Sequence, residues 1–268
     1  MTIKDIIQII EKHAPRVYAE TWDNVGLLIG DEDETANGAL IALEVTEAVL
    51  QEAIDGGFNL IITHHPLIFG GVKKINYQDP IGRIIRRAIA NNIAVYAAHT
   101  NLDNAPDGVN QMLAKKIGLK NTAILSPQQT IYQQENPTVQ TGSGVIGILP
   151  EPMNEKDFLL TLKQILNIPV LRHSAFIGKP ISKVALCGGA GSFLIQLALE
   201  QKADVFITAD IKYHDFFTPD KKILLVDAGH YETEQFTTLL LLDILNQNFS
   251  NFAARISRLS TNAVNYLI

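Results

Sequence analysis

Three apolar segments of the sequence each end in histidine, and this pattern restricts the fold more than any other feature. Segment 60–67 reads Leu-Ile-Ile-Thr-His-His-Pro-Leu, segment 93–103 reaches His99, and segment 223–234 reaches His230. Short apolar runs that stop abruptly at polar groups are typical of buried strands. In an α/β sheet, the carboxyl ends of such strands converge on the functional crevice. The sequence therefore predicts an α/β fold with histidines gathered at strand ends.

Carboxylates accompany two of these histidine positions. Asp103 follows His99 by four residues, and Glu234 follows His230 by four residues at the start of a predicted helix. Side chains four apart on a helix face the same side, so His230 and Glu234 can chelate one ion. Histidine and carboxylate at three strand ends together predict a metal site.

The number of ions depends on the adjacent pair His64 and His65. Neighbouring side chains on an extended chain point to opposite sides, so a regular strand would direct the two rings to two ions. One ion is the alternative if the chain turns at Pro66. Two histidines and two carboxylates could saturate one ion, whereas Glu234 could bridge two ions, as in two-metal hydrolytic sites. The opposed directions of His64 and His65 favour two.

Composition limits the chemistry of the site and the class of protein. Cys187 is the only cysteine, so any metal must be held by histidine and carboxylate, and intramolecular disulfides are excluded. This fits a reducing cytoplasm. The net charge of −6 disfavours nucleic acid as a partner. The apolar stretches are too short to span a membrane, and the first residues do not resemble a signal peptide.

Predicted helices and strands alternate along the whole chain, beginning with a helix over 3–13 capped by Thr2. A break over 126–143 suggests an N-terminal α/β domain, 1–125, and a C-terminal α/β domain, 126–268, whose elements could intertwine. The expected architecture is two similar α/β domains with mainly parallel mixed sheets. No residue-level repeat supports a duplication.

Four further expectations concern single segments. Trp22 is interpreted as a core anchor. Residues 101–104 read as a loop, and 232–245 as one long helix. Gly188–Ser192 matches neither the Walker pattern nor the dinucleotide fingerprint, so a tight strand-to-helix turn is favoured over a phosphate cradle.

Five motifs give the chain a family resemblance. They are Trp-Asp-Asn-Val-Gly-Leu at 22–27, His-His-Pro-Leu-Ile-Phe at 64–69, His-Thr-Asn-Leu-Asp at 99–103, Asp-Ile-Lys-Tyr-His at 210–214 and Asp-Ala-Gly-His-Tyr-Glu-Thr-Glu at 227–234. In this order they resemble the Nif3-like dinuclear-metal proteins, the GTP cyclohydrolase 1 type 2 homologues. The chain departs from the family pattern at Ala190, where Ser is common, and at Ala209, where Gly is usual.

The resemblance implies two α/β domains with a pair of divalent metal ions in the interdomain cleft. It implies that His65 and Asp103 bind one ion, that His64 and His230 bind the other, and that Glu234 bridges them. Zn, Mn, Fe, Co and Ni all suit such ligands. The resemblance also implies assembly into a ring-shaped homohexamer.

Two functions follow as hypotheses. The first is a metal-dependent hydrolase that acts on a nucleotide, with ring opening of GTP as the named candidate. His99, near the site in the family pattern, would then be the catalytic proton shuttle, and Lys73 and Lys74 would hold phosphates. The second is a non-enzymatic metal-binding ring that acts as a regulator, metal chaperone or interaction scaffold.

Overall fold

Helices and strands alternate in the computed structural model of the chain, which describes residues 1–128 and 139–267. The helices are α1 (Ile3–His13), α2 (Glu47–Asp55), α3 (Pro80–Ala90), α4 (Thr100–Asp103), α5 (Val109–Ile117), α6 (Glu155–Leu166), α7 (Ile195–Glu200), α8 (His230–Glu234) and α9 (Thr237–Asn248). The strands are β1 (Gly26–Ile29), β2 (Ala39–Ala42), β3 (Leu60–Thr63), β4 (Ala94–Ala97), β5 (Lys120–Pro127), β6 (Gly142–Met153), β7 (Arg172–His173), β8 (Ile181–Ala190), β9 (Val205–Ala209), β10 (Leu224–Asp227) and β11 (Ala254–Ile256). Short 3₁₀ helices cover Arg16–Tyr18, Ser192–Leu194 and Tyr213–Phe217. The predicted α/β class is confirmed.

Local sequence signals fix where the first helices begin. The Thr2 hydroxyl accepts a hydrogen bond from Asp5 N at 3.3 Å, and the Thr2 amide donates to Asp5 Oδ2 at 2.7 Å. This reciprocal pair satisfies backbone groups that a helix start leaves without partners. Thr46 caps α2 by accepting from Val49 N. The predicted helix over 3–13, with Thr2 as its cap, is confirmed.

One compact unit comprises Met1–Leu102 and Thr237–Ala263. Its sheet has the strand order β1-β4-β3-β2-β11, in which β4, β3, β2 and β11 are parallel and β1 is antiparallel to β4. Leu40, Ile61 and Val95 of the parallel strands are fully buried in the core of this unit. Continuous burial on both faces explains why these strands read as unbroken apolar runs.

The second compact unit comprises Asp103–Phe236 and Val264–Ile268, as far as these ranges are described. Its sheet has the order β5-β6-β8-β9-β10-β7. The pairs β8–β9 and β9–β10 are parallel, whereas β5–β6, β6–β8 and β10–β7 are antiparallel. Both sheets are therefore mixed, as predicted. A mainly parallel arrangement holds only in the first unit, since most pairings among the described strands of the second are antiparallel.

The division of the chain differs from the predicted domains 1–125 and 126–268. The N-terminal segment of the first unit ends at Leu102, and a later segment, Thr237–Ala263, belongs to the same unit. The physical reason is strand pairing: β11 pairs in parallel with β2, so the last strand completes the first sheet. An intertwined arrangement of this kind cannot be assigned from the order of elements alone.

The predicted break over 126–143 falls largely on residues 129–138, which lie outside the described part of the chain. On either side of those residues the structure has paired strands, with Pro127 of β5 opposite Gly142 of β6. The break therefore connects two neighbouring strands of one sheet.

Two shorter segments also differ from expectation. Thr100–Asp103 is a helical turn, α4, where a loop is predicted for 101–104. The predicted long helix over 232–245 is divided into α8 and α9. Among the described residues, no helix has the length and apolar character needed to cross a membrane.

Candidate metal centre

Three histidines come together at the ends of β3 and β4. The two strands are parallel neighbours with Thr63 opposite Ala97, so the residues that follow them emerge at the same sheet edge. The ring centroids of His64 and His65 are 4.9 Å apart, and those of His64 and His99 are 5.2 Å apart. One nitrogen from each of the three rings lies within 4.8 Å of the others. This spacing suits the coordination of a metal ion.

The argument that His64 and His65 point in opposite directions does not apply here. Strand β3 ends at Thr63, so neither histidine belongs to a regular strand. Their rings lie side by side with an interplanar angle of 45°. This arrangement fits one ion or two, and the number of ions stays a prediction.

Hydrogen bonds orient the rings of His64 and His65. Nδ1 of His64 donates to Ala98 O at 2.8 Å. Because a carbonyl oxygen only accepts, the proton is on Nδ1 and the Nε2 lone pair is the donor toward a metal. Nδ1 of His65 lies 3.0 Å from Glu44 Oε1. Metal-binding histidines characteristically have a carbonyl or carboxylate on the other ring nitrogen, which fixes the tautomer and raises ligand basicity.

His99 has the most buried carboxylate partner of the group. Its Nδ1 is 2.9 Å from both carboxylate oxygens of Asp23, whose side chain is fully buried. The amide and hydroxyl of Thr100 also donate to Asp23. Burial by itself would raise the pKa of Asp23, but the hydrogen bonds from His99 and Thr100 outweigh it and lower the pKa to about 2. An ionised aspartate thus holds the His99 ring in a fixed orientation.

Trp22 is not the core anchor expected from the sequence, because 63% of it is exposed. It contacts the ring of His99 edge-on, with centroids 6.1 Å apart. Phe69 contacts the same ring edge-on at 5.7 Å. Asn24 Nδ2 donates to Ile68 O at 2.6 Å and ties together the loops that carry the two aromatic rings.

The second unit carries a separate set of donors on and around α8. Nε2 of His230 lies 3.1 Å from Glu234 Oε2. Their spacing of four residues predicted that the two side chains would face the same side of the helix. Nδ1 of His230 lies 2.6 Å from Asp210 Oδ2. A carboxylate oxygen of Asp103 lies within 4.8 Å of one of Glu234. Gly229, with φ +82°, makes the turn that leads into the helix.

The glycine-rich loop after Cys187 has its amides occupied by protein groups. Three of them donate to side-chain oxygens: Gly188 N to Asn110 Oδ1 at 2.8 Å, Gly189 N to Thr233 Oγ1 at 3.0 Å and Gly191 N to Thr208 Oγ1 at 2.8 Å. These amides are not available to cradle a phosphate, so the structural interpretation of Gly188–Ser192 is supported.

The same loop packs directly against the acidic residue of α8. A Cβ on Gly189, where φ is +60°, would lie 2.2 Å from Glu234 Oε1 and 3.2 Å from His230 Nε2. Burial raises the pKa of the neighbouring Cys187 thiol, and the charges of Asp103 and Glu234 raise it further. Cys187 is therefore buried and held as a neutral thiol.

Sequence reasoning missed three acidic residues that contact the histidines: Glu44, Asp23 and Asp210. Asp23 and Asp210 lie within motifs that carry the family resemblance, so a signal was present. Glu44 closely follows β2, which makes it another polar residue at a strand end. The donor set of imidazoles and carboxylates, each imidazole with an acceptor at Nδ1, fits borderline divalent cations.

The model of the Duf34/NIF3 family (NGG1p interacting factor 3) matches residues 1–263 of the chain. A relative from Staphylococcus aureus (strain MRSA252), named GTP cyclohydrolase 1 type 2 homolog, is 31% identical over an alignment of 369 residues that covers 100% of both chains. The crystal structure of S. aureus protein SA1388 superposes with a TM-score of 0.90 at 36% identity, covering 100% of this chain and 99% of that one. A Bacillus cereus protein related to NIF3 gives 0.89 at 27% identity with the same coverage.

Proposed function

The chain belongs to the Duf34/NIF3 family, and from this we propose that it is a dinuclear metal-dependent hydrolase that acts on a nucleotide. The observation that carries the proposal is the set of histidines whose Nδ1 atoms all meet acceptors: Ala98 O for His64, Glu44 for His65, Asp23 for His99 and Asp210 for His230. Structural histidines have no general need for such uniform orientation, whereas metal ligands do.

We assign the ligands as the family resemblance implies. His65 and Asp103 would hold one ion, His64 and His230 would hold the other, and Glu234 would serve both. These donors suit Zn, Mn, Fe, Co or Ni, because imidazole and carboxylate accept all of them. When bound, a pair of divalent ions lowers the pKa of a bound water and polarises the substrate.

His99 is the proposed proton carrier. Asp23 accepts from its Nδ1, so Nε2 is the atom that can take up or deliver a proton. The buried aspartate stabilises the ring when it becomes positively charged, as in other Asp–His pairs. Lys73 and Lys74 are both exposed on the loop between β3 and α3, where their ammonium groups can meet phosphate.

The candidate reaction is ring opening of GTP, which takes its substrate from the names of the relatives. Water adds at C8 of guanine, the five-membered ring opens, and a second water releases formate. The first step requires a proton to move from water to a ring nitrogen, and the second requires one to move from water to the amide nitrogen that ring opening leaves. Moving these protons is the role proposed for His99.

Metal content tests the ligand assignment. Elemental analysis should find about two ions per chain. Glu234→Gln should lower the occupancy of both ions because a bridging carboxylate serves both, whereas His230→Ala should mainly empty one. Glu151→Gln is the control, since Glu151 is exposed on β6. One ion per chain under metal-replete conditions would contradict the dinuclear assignment.

Turnover tests the enzymatic assignment. The metal-loaded protein is incubated with GTP, other nucleotides and phosphodiesters. Asp103→Ala should abolish turnover, whereas Asp107→Ala, whose side chain is 70% exposed, should not. His99→Gln should retain its metal and lose turnover. If two ions bind and no compound is turned over, the non-enzymatic metal-binding ring becomes the better account.

A further inference from the structure

We propose that the exposed rings of Trp22 and Phe69 form a stacking surface for the base of a nucleotide beside His99. This inference rests on the proposed function for its substrate class. It adds a specific binding surface, which we call the aromatic rim and define as Trp22 and Phe69. The two side chains are 63% and 56% exposed. Large aromatic side chains exposed together commonly mark a binding site.

Hydrogen bonds hold the two loops that carry the aromatic rim. Asp23, next to Trp22, is buried and accepts hydrogen bonds from His99 and Thr100. The Asn24 side chain bonds to Ile68 O, next to Phe69, at 2.6 Å. Since each ring adjoins a residue held by buried or side-chain hydrogen bonds, the rings are positioned before a ligand arrives, which lowers the entropic cost of binding.

The position of the aromatic rim relates it to the proposed chemistry. Trp22 and Phe69 both contact His99 edge-on, at interplanar angles of 75° and 88°. The planes of both rings are therefore roughly perpendicular to the imidazole, which does not stack on either of them. A planar ring stacked on either face lies beside His99, the residue proposed to move protons to and from a nucleobase.

Charge near the aromatic rim favours a nucleotide over an apolar peptide. Lys73 and Lys74 follow Phe69 within five residues and are exposed. Five residues of chain span at most about 18 Å, which limits how far the Cα atoms of both lysines lie from that of Phe69. A base with a phosphate tail uses both features, because every base offers a π face and the phosphates offer negative charge.

Trp22 is the only tryptophan, so its fluorescence reports directly on this surface. The full-length, metal-loaded protein is titrated with GTP, guanosine and inorganic triphosphate, with free tryptophan as the blank for light absorption. GTP and guanosine should quench the emission, and triphosphate alone should not. Phe69→Ala should weaken GTP binding by about 5- to 150-fold, the range expected for loss of one stacking contact.

Matched variants separate stacking from other effects. Phe69→Tyr should bind like the unmodified protein. Phe193→Ala removes a phenylalanine that is 68% exposed in the other unit and should also change nothing. Lys73→Ala should weaken binding of GTP but not of guanosine. These outcomes together would support the aromatic rim as a nucleotide site.

Three results would overturn the inference: no quenching by any nucleotide, equal GTP affinity in Phe69→Ala and Phe193→Ala, or a change of oligomeric mass in Phe69→Ala without a change of affinity. The last would make the aromatic rim an interface between copies. If GTP quenches the emission of Trp22 but is not turned over, the stacking surface is supported and the proposed hydrolase activity is contradicted. Turnover with an unchanged KM in Phe69→Ala contradicts stacking and leaves the hydrolase standing.

Discussion

Replacement of Gly189 by alanine tests how closely the glycine loop supports the carboxylate of α8. The added Cβ would lie 2.2 Å from Glu234 Oε1. Ordinary C···O contacts are about 3.3 Å, so the carboxylate must move by about 1 Å. Glu234 is 3% exposed, so the displaced group has little space to occupy. We expect the change to disturb the metal donors more than the surrounding fold.

Two energetic effects contribute to the expected loss of stability. Alanine at positive φ costs about 1 kcal/mol, and overpacking a buried site costs about 1–3 kcal/mol. The free energy of unfolding of Gly189→Ala should therefore fall by about 2–4 kcal/mol. Gly57→Ala is the matched control, because Gly57 also has positive φ, +70°, but a Cβ there would meet no atom within 4 Å. It should lose only about 1 kcal/mol.

Urea unfolding and elemental analysis of both variants provide the measurements. Gly189→Ala should bind divalent metal at least about tenfold more weakly, because ligand positions must hold to within a fraction of an ångström. Gly57→Ala should bind metal normally. If the two variants have the same stability and the same metal content, the contact between Gly189 and Glu234 has no part in the site.

Three further predictions concern the partners of the histidines and the assembly. Asp23→Asn should lower the free energy of unfolding by about 2 kcal/mol at neutral pH, since the folded pKa of about 2 lies below the ordinary 3.8. A depressed pKa stabilises the folded protein at pH values above the pKa of the unfolded state. The difference in free energy of unfolding between Asp23→Asn and the unmodified protein should therefore shrink as pH falls from 4 toward 2. Asp33→Asn, at an exposed position, should show no such trend. Glu44→Gln should weaken metal binding by about 10–100-fold through His65, as measured by competition with a chelator, while unchanged affinity would remove Glu44 from the site. Light scattering should give six times the chain mass of 29.5 kDa, and a monomer or lone dimer at all concentrations would contradict the ring.

The sequence alone predicted the strands that lead to the histidines and the helix that opens the chain. Apolar runs that end in histidine identify β3, β4 and β10, because hydrophobic pattern and an abrupt polar end are local properties. The helix over 3–13 follows from its cap and its apolar spacing for the same reason. These features depend on residues only a few positions apart, so they can be recognised directly in the sequence.

Only the tertiary structure decided which residues support the histidines and how the chain divides. Glu44 reaches His65 across 21 positions, Asp210 reaches His230 across 20, and Asp23 reaches His99 across 76. The return of β11 to the first sheet is likewise a long-range pairing. Such contacts are set by strand order and register, which depend on packing between distant segments and leave no periodic trace in the sequence.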